Sequence, residues 1–174
     1  NVYGSFIYIE DCAGCPEIWN TILPGSKIVV DWVPKIPLMV ASFDIGDRGY
    51  TLTADGNLQS YDQFSNSWQD HSSIPSSDDV TWAISYNGKG YALVGNTMWE
   101  YTPSGDDWAE LSSISHFNSL QYPAGFILED IIYVGNGLLD GTKTASMFSF
   151  NPAMDTSALE SNSSPSARSS AIAF

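Results

Sequence analysis

The sequence has few basic side chains. Lys and Arg number 6 against 20 Asp and Glu, so the formal net charge at pH 7 is −14. A surface this negative repels phosphate backbones and anionic lipid headgroups, and we therefore expect no nucleic-acid partner and no binding to a membrane surface. Long apolar runs are missing as well. No stretch approaches the roughly 20 apolar residues of a membrane-spanning helix, so we expect no membrane insertion.

Cysteine is equally scarce, with 2 residues in the chain. Cys12 and Cys15 form a C-x-x-C in the stretch "DCAGCPE". A structural zinc site takes four ligands, and the chain has no second Cys pair. A redox C-x-x-C is expected between a strand and a helix, whereas this one lies among predicted strands and loops. Two readings remain, a short disulfide between Cys12 and Cys15 or two free thiols, and we predict no metal site.

Aromatic residues and turn formers are plentiful instead. Aromatic residues make up 13% of the chain, and 14 Gly and 9 Pro separate its short apolar stretches. This pattern is typical of many short strands joined by turns. A chain of 174 residues is also long enough to form one domain with its own core. We therefore predict a single all-β domain over residues 1–174.

A repeat of strand pairs runs through the chain. The stretches "VASFDIGDRGYTLT", "WAISYNGKGYALVG" and "PAGFILEDIIYVGN" each contain an apolar strand that starts at an Ala, then a short turn and a second strand. A fourth copy starts in "RSSAIAF". Spacings of 42, 41 and 47 residues separate the successive alanines Ala41, Ala83, Ala124 and Ala171. Four strands in 40-odd residues is the period of a β-propeller blade, and a β-sandwich is the alternative.

The second half of each copy has its own signature. Tyr61 precedes Trp68 by seven residues across a polar turn, and the same spacing separates Tyr101 from Trp108. The third copy keeps an aromatic residue but has Ala158 near the place of the Trp. A sandwich has no reason to repeat one aromatic spacing, so the signature favours the propeller.

These features resemble the kelch-repeat β-propellers, the family that includes the propeller domain of galactose oxidase. The resemblance is carried by the strand–turn–strand units, by the two Tyr-to-Trp spacings and by Pro165-Ser166-Ala167-Arg168 before the last strand. It covers residues 34–174 well and the first 33 weakly. It implies four-stranded antiparallel blades arranged around an axis.

The two ends of the sequence complement each other. "SFIYIE", "EIWNTI" and "KIVVDWVP" look like strands two to four of a blade, and "AIAF" at the end looks like a strand one. We therefore expect about four blades, with the ring closed by pairing of Ala171–Phe174 with Ser5–Glu10 in a monomer. The predicted blades are 167–174 plus 1–37, 38–75, 76–115 and 116–165. Two alternatives are a piece of a larger six- or seven-bladed propeller and a dimer that shares one ring.

Candidate binding residues lie in loops that a propeller would gather on one face. They combine carboxylates, aromatic rings and single basic groups, which suits a protein or glycan ligand. The candidates are Asp78, Asp79, Trp82, His116, Phe117, Tyr122, Asp140 and Arg168. Each has a structural alternative. Trp82 would pack between blades, Arg168 would bond backbone carbonyls, and the two Asp would be solvated turn residues.

The sequence gives little support for catalysis. Galactose oxidase relatives hold copper with His and Tyr, but here His71 is predicted on an outer strand and His116 is alone on its loop. No G-x-S-x-G, H-E-x-x-H or P-loop motif occurs. We therefore expect no cofactor and no enzyme activity.

The function expected from the sequence is that of a non-catalytic binding or spacing module, with a carbohydrate-binding propeller that uses Trp82, Phe117 and Tyr122 as the alternative. An extracellular or cell-surface location is expected from the few Lys, the many Ser, Asn and Thr, the Asn residue at position 1 and the glycosylation sequon at Asn162.

Overall fold

The computed structural model describes residues 39–114 and 120–160. All of them belong to one compact unit, Ile36–Phe174. Within these two ranges the chain forms no helix, and its strands make four antiparallel sheets. The prediction of an all-β fold is confirmed. A search of the same residues for a helix able to cross a membrane finds none.

Three of the sheets have four strands each, ordered as they follow in the chain apart from a small insertion in the third. The first sheet contains β1 (Met39–Ile45), β2 (Arg48–Thr53), β3 (Leu58–Asp62) and β4 (Ser67–Asp70). The second contains β5 (Val80–Tyr86), β6 (Lys89–Val94), β7 (Thr97–Thr102) and β8 (Asp107–Ser113).

The third sheet is interrupted by the small one. A short strand, β9 (Leu120–Gln121), precedes β10 (Ala124–Leu128) and β11 (Ile131–Gly135). The chain then forms β12 (Leu138–Leu139) and β13 (Thr142–Lys143) before β14 (Met147–Asn151) and β15 (Thr156–Glu160). Strands β10, β11, β14 and β15 make the third four-stranded sheet, and β13, β12 and β9 make a three-stranded sheet beside it.

The tight turns follow from local sequence. Asn87-Gly88 joins β5 to β6 with φ values of 50° and 74°. Positive φ at both central residues is the type I′ geometry that twists a hairpin correctly, and Asn-Gly is the pair best suited to it. The longer turns between the third and fourth strands each end on a left-handed residue, namely Asn66, Asp106 and Asp155. Asn and Asp tolerate that conformation better than other side chains.

The Tyr-to-Trp spacing has a simple structural cause. Tyr61 and Trp68 are direct cross-strand partners with ring centroids 5.2 Å apart. Tyr101 and Trp108 repeat the arrangement at 5.1 Å. In the third sheet the partner of the equivalent aromatic residue is Ser157 rather than the neighbouring Ala158.

The three sheets stack face to face around two apolar cores. The first core lies between the first and second sheets and contains Phe43, Tyr50, Leu52, Leu58, Ile74, Val80, Ala83, Ala92, Val94, Trp99 and Tyr101. The second core lies between the second and third sheets and contains Tyr91, Leu93, Met98, Ile114, Leu120, Ile132, Val134, Phe148 and Phe150. Successive residues of β6 alternate between the two cores, because neighbouring side chains on a strand point to opposite faces of the sheet.

Several predictions fall outside the described residues. They are the pairing of Ala171–Phe174 with Ser5–Glu10, the Cys12 and Cys15 pair, and the side chains of His116, Phe117 and Arg168. The predicted units 38–75, 76–115 and 116–165 contain the first, second and third four-stranded sheets respectively. Closure of the ring stays a prediction.

Candidate functional site

One edge of the stacked sheets gathers two kinds of loop. The turns between the second and third strands meet the linkers that lead from one sheet to the next. Ile74 N–H donates to Gly56 O at 3.0 Å, and Val80 N–H donates to Ala54 O at 2.8 Å. Gly95 N–H donates to the backbone oxygen of Asp79 at 3.1 Å. We call this the loop edge. It is the edge on which the sequence placed its candidate binding residues.

Three predicted carboxylates lie on the loop edge. Asp78 and Asp79 are exposed in the linker before β5. Gly95 has φ of 58°, and a Cβ there would come within 2.7 Å of an Asp78 carboxylate oxygen. Asp140 is exposed in the two-residue turn between β12 and β13, where it has φ of 50°. None of the three forms an ion pair with another described residue, so all three carboxylates face water.

The predicted aromatic residues differ in exposure. Tyr122 is 62% exposed and has φ of 51°, which is unusual for a bulky residue. Trp82 is half-buried and packs on the second core. A Cβ on Gly125 would clash with the ring of Trp82, so the indole occupies the space that this glycine leaves. That contact is the one expected of the packing alternative, and a binding role for Trp82 stays a prediction.

A polar network that the sequence did not reveal joins the first and second sheets. Ser60 Oγ lies 2.8 Å from His71 Nε2, and His71 Nδ1 lies 3.0 Å from an Asp106 oxygen. The Tyr101 hydroxyl donates to the same Asp106 oxygen at 2.7 Å. His71 was predicted on an outer strand; it directly follows the outer strand β4, and its imidazole points into the contact between the two sheets. Its three partners come from two sheets.

Hydrogen bonding and burial set the protonation of Asp106 and Tyr101. The Tyr101 hydroxyl, the backbone N–H of Ser72 and the His71 ring together hold the pKa of Asp106 below its usual value of 3.8. Burial, followed by the neighbouring Asp106 carboxylate, raises the pKa of Tyr101. Asp106 is therefore ionised and Tyr101 is neutral at physiological pH.

The connectivity of Ser60, His71 and Asp106 matches that of a serine hydrolase triad. Ser60, however, has 0% of its surface exposed. A nucleophile must reach the scissile carbonyl, and a fully buried hydroxyl does not. The network therefore acts as a polar link between two sheets, in which the buried Ser60 and Tyr101 hydroxyls are satisfied.

A cleft opens at the corner between the loop edge and the outer face of the first sheet. It has a volume of about 250 Å³ and is lined by Met39, Thr51, Thr53, Asn57, Leu58, Gln59, Asp70, His71 and Ser73. Gln59 Nε2 donates to Asp70 Oδ1 at 2.7 Å, and Ser73 Oγ donates to Asn57 Oδ1 at 2.9 Å. None of these residues was among the sequence candidates.

Comparison with known proteins gives a structural match but no sequence relative. No protein-family model matches the sequence, and no curated protein matches it. Solved structures do match, and among 157 such chains is the structure of YjhT, with a TM-score of 0.61 and 15% sequence identity. The likeness is one of fold. It covers 74% of this chain and 53% of the YjhT chain, so the present chain spans about half the length of YjhT.

Proposed function

We propose that the chain is a non-catalytic, kelch-like β-propeller module whose three sheets are blades, and that it binds a protein partner through the loop edge. Two features support blades. The sheets share one strand order, and consecutive sheets pack face to face through apolar cores. The proposed ring is closed by Ala171–Phe174 and Ser5–Glu10, and a larger ring is the alternative.

Ring closure can be tested in solution. A self-closed monomer should scatter light as a particle of 19.0 kDa, whereas a dimer that shares one ring should have twice that mass. Deleting residues 167–174 should unfold or aggregate the protein, because a blade would lose its innermost strand. A truncated chain that stays folded and monomeric would contradict the closed ring.

One observation carries the binding proposal. The loop edge presents the exposed ring of Tyr122 together with the exposed carboxylates of Asp78, Asp79 and Asp140, which form no ion pair with another described residue. Tyr is enriched at the energetic centres of protein interfaces, and unpaired carboxylates at a rim attract a basic partner and speed its association. We therefore expect a partner that offers Lys or Arg around an apolar pocket.

A matched pair of variants tests the loop edge. The bait is the full chain, and the prey is a biotinylated extract of cell-surface proteins. The Tyr122→Ala change should remove captured proteins, and added salt should weaken their capture. The control is Phe64→Ala, because Phe64 is 80% exposed but lies in the β3–β4 turn, away from the loop edge. Equal loss with both variants, or with neither, would sink the proposal.

The absence of catalysis has its own test. A fluorophosphonate probe reacts with activated serine hydroxyls, and it should not label the native protein because Ser60 is buried. Labelling that disappears in a Ser60→Ala variant would contradict the non-catalytic proposal. Denatured protein serves as the control for non-specific reaction.

We also propose an extracellular or cell-surface location, on the sequence features given above. A disulfide between Cys12 and Cys15 in freshly isolated protein would support an oxidising compartment. Mass spectra recorded with and without reduction distinguish it from two free thiols. Two free thiols would count against this location.

A further inference from the structure

The connection between the second and third strands is longer in the third sheet than in the other two. In the second sheet, Gly95 and Asn96 alone join β6 to β7. In the third sheet, residues 136–146 join β11 to β14 and form the β12–β13 hairpin on the way. Places where a protein departs from its own repeat are those where function is expected to override the local rules of folding. This connection lies on the loop edge.

Asn136 begins the long connection, and its side-chain oxygen lacks a hydrogen bond. The residue is 7% exposed, and Oδ1 is out of contact with solvent and without a partner among the described residues. The backbone N–H of Asn136 is satisfied, since it donates to Ser146 O at 2.9 Å. Buried polar atoms are almost always paired, and an unpaired one lowers stability. The unpaired oxygen therefore needs a reason for its place.

The chain next to Asn136 is strained. A Cβ on the following residue, Gly137, would lie 3.1 Å from both Tyr122 C and Pro123 N. Pro has no N–H, so this segment offers one backbone donor fewer than an ordinary strand would. Tyr122 has a φ of 51°, which is unfavourable for a bulky residue, and strained residues of this kind cluster at ligand-binding sites. An unpaired acceptor and a strained aromatic residue thus lie side by side.

The surroundings indicate which chemical group completes the site. An acceptor oxygen requires a donor, the exposed Tyr122 ring offers its face to a cation, and the carboxylates on the loop edge add negative charge. Arginine meets all three conditions. Its guanidinium has five N–H donors and no acceptor, keeps its positive charge at any physiological pH, and stacks flat on aromatic rings.

We propose that the protein partner of the loop edge binds through an arginine side chain, whose guanidinium stacks on Tyr122 and donates to Asn136 Oδ1. Because this oxygen is closed to solvent in the free protein, the strained segment Tyr122-Pro123 moves aside as the guanidinium enters. Binding then satisfies the unpaired oxygen and relieves the strain at Tyr122. The inference rests on the proposed function, since it names the side chain that the loop edge recognises.

The probe for this site is the peptide acetyl-Gly-Arg-Gly-amide, titrated into the full chain. NMR follows the ring signals of Tyr122 and the side-chain amide signal of Asn136. We expect the peptide to shift both sets of signals. The ligand control is the same peptide with citrulline in place of arginine, which has nearly the same shape but no charge. It should bind about tenfold or more weakly, because hydrogen bonds from a charged donor are the stronger ones.

Three variants separate binding from folding. Asn136→Gly removes the unpaired oxygen and suits the φ of 57°, so the variant should melt at or above the wild-type temperature yet lose about tenfold in affinity for the arginine peptide. Asn136→Asp keeps an acceptor and should keep the affinity. Asn96→Gly is the matched control, because Asn96 also lies on the loop edge but its Oδ1 accepts from the Thr97 hydroxyl. It should bind the peptide like the wild-type protein.

Three outcomes would overturn the arginine site. One is that the peptide leaves the Tyr122 signals unchanged at millimolar concentration. Another is that Asn136→Gly binds the peptide as well as Asn96→Gly does. The third is that Asn136→Gly melts well below Asn96→Gly, which would make the Asn136 side chain a structural group. Capture of cell-surface proteins separates this inference from the proposed function. If Tyr122→Ala abolishes capture and Asn136→Gly does not, the proposed function stands and the arginine site fails, and if neither variant changes capture, both fail.

Discussion

Gly90 lies where the first and second sheets pack closely against each other. A Cβ at this position would lie 2.7 Å from two ring carbons of Phe43. Phe43 has little room to move, because it is 8% exposed and stacks on Tyr50 with ring centroids 5.4 Å apart. Overpacking of a core costs about 1–3 kcal/mol. Gly90→Ala should therefore lower the free energy of unfolding by about that amount, less the small gain from removing a strand glycine.

The repeat supplies a matched control. Gly49 occupies the same position in the first sheet, directly before a Tyr, yet a Cβ there would meet nothing within 4 Å. Gly49→Ala should be neutral or slightly stabilising. Because both variants make the same chemical change on an equivalent strand, the difference between them isolates the contact with Phe43. For a chain of this length, about 1–3 kcal/mol corresponds to a fall of about 2–12 °C in melting temperature.

Thermal or urea unfolding followed by circular dichroism measures that difference. Equal stability of the two variants would refute the reasoning, since it would mean that the face of β6 is not packed against the first sheet. A change in the denaturant slope of Gly90→Ala would indicate altered compactness rather than a local clash.

Four further variants, one of them a control, test the contacts between neighbouring sheets. The pKa of Asp106 is lowered in the folded protein, so its stabilising effect is complete above the unfolded-state pKa of about 3.9 and is lost as the pH falls through the folded-state value. Urea midpoints at about pH 6 and pH 3 should therefore differ less in Asp106→Asn than in the wild-type protein, and an unchanged difference would contradict this account. Tyr101→Phe should cost about 1 kcal/mol, and Tyr61→Phe, at the exposed equivalent, should cost less in the same urea titration. Trp82→Ala should cost about 3 kcal/mol without any ligand, because the indole packs on Gly125, and a melting temperature like that of the wild-type protein would favour a purely binding role.

Local sequence predicted the hairpins and their repeat. The Tyr and Trp lie one position beyond the pair of residues that flanks each four-residue turn, so direct partners at this position are seven residues apart. In the third copy the same spacing from Phe150 leads to Ser157, its direct partner, next to the Ala158 predicted near that place.

No local sequence pattern predicts the polar network that joins the first and second sheets. Ser60, His71 and Asp106 are 11 and 35 residues apart in sequence, and the second interval crosses from one sheet to the next. The period of two shows which residues of a strand share a face, but it does not show which of the two faces packs on the preceding sheet. The assignment of Tyr91 to one core and of Ala92 to the other therefore needed the structure.

The two cores have no residue in common, although β6 contributes to both. Among the described residues, the first and second cores are therefore linked only through the second sheet, and the energies of the two contacts between sheets are expected to add pair by pair. A substitution in one of the two cores is then expected to leave the packing of the other unchanged. Each core can therefore change its side chains over evolutionary time without a compensating change in the other.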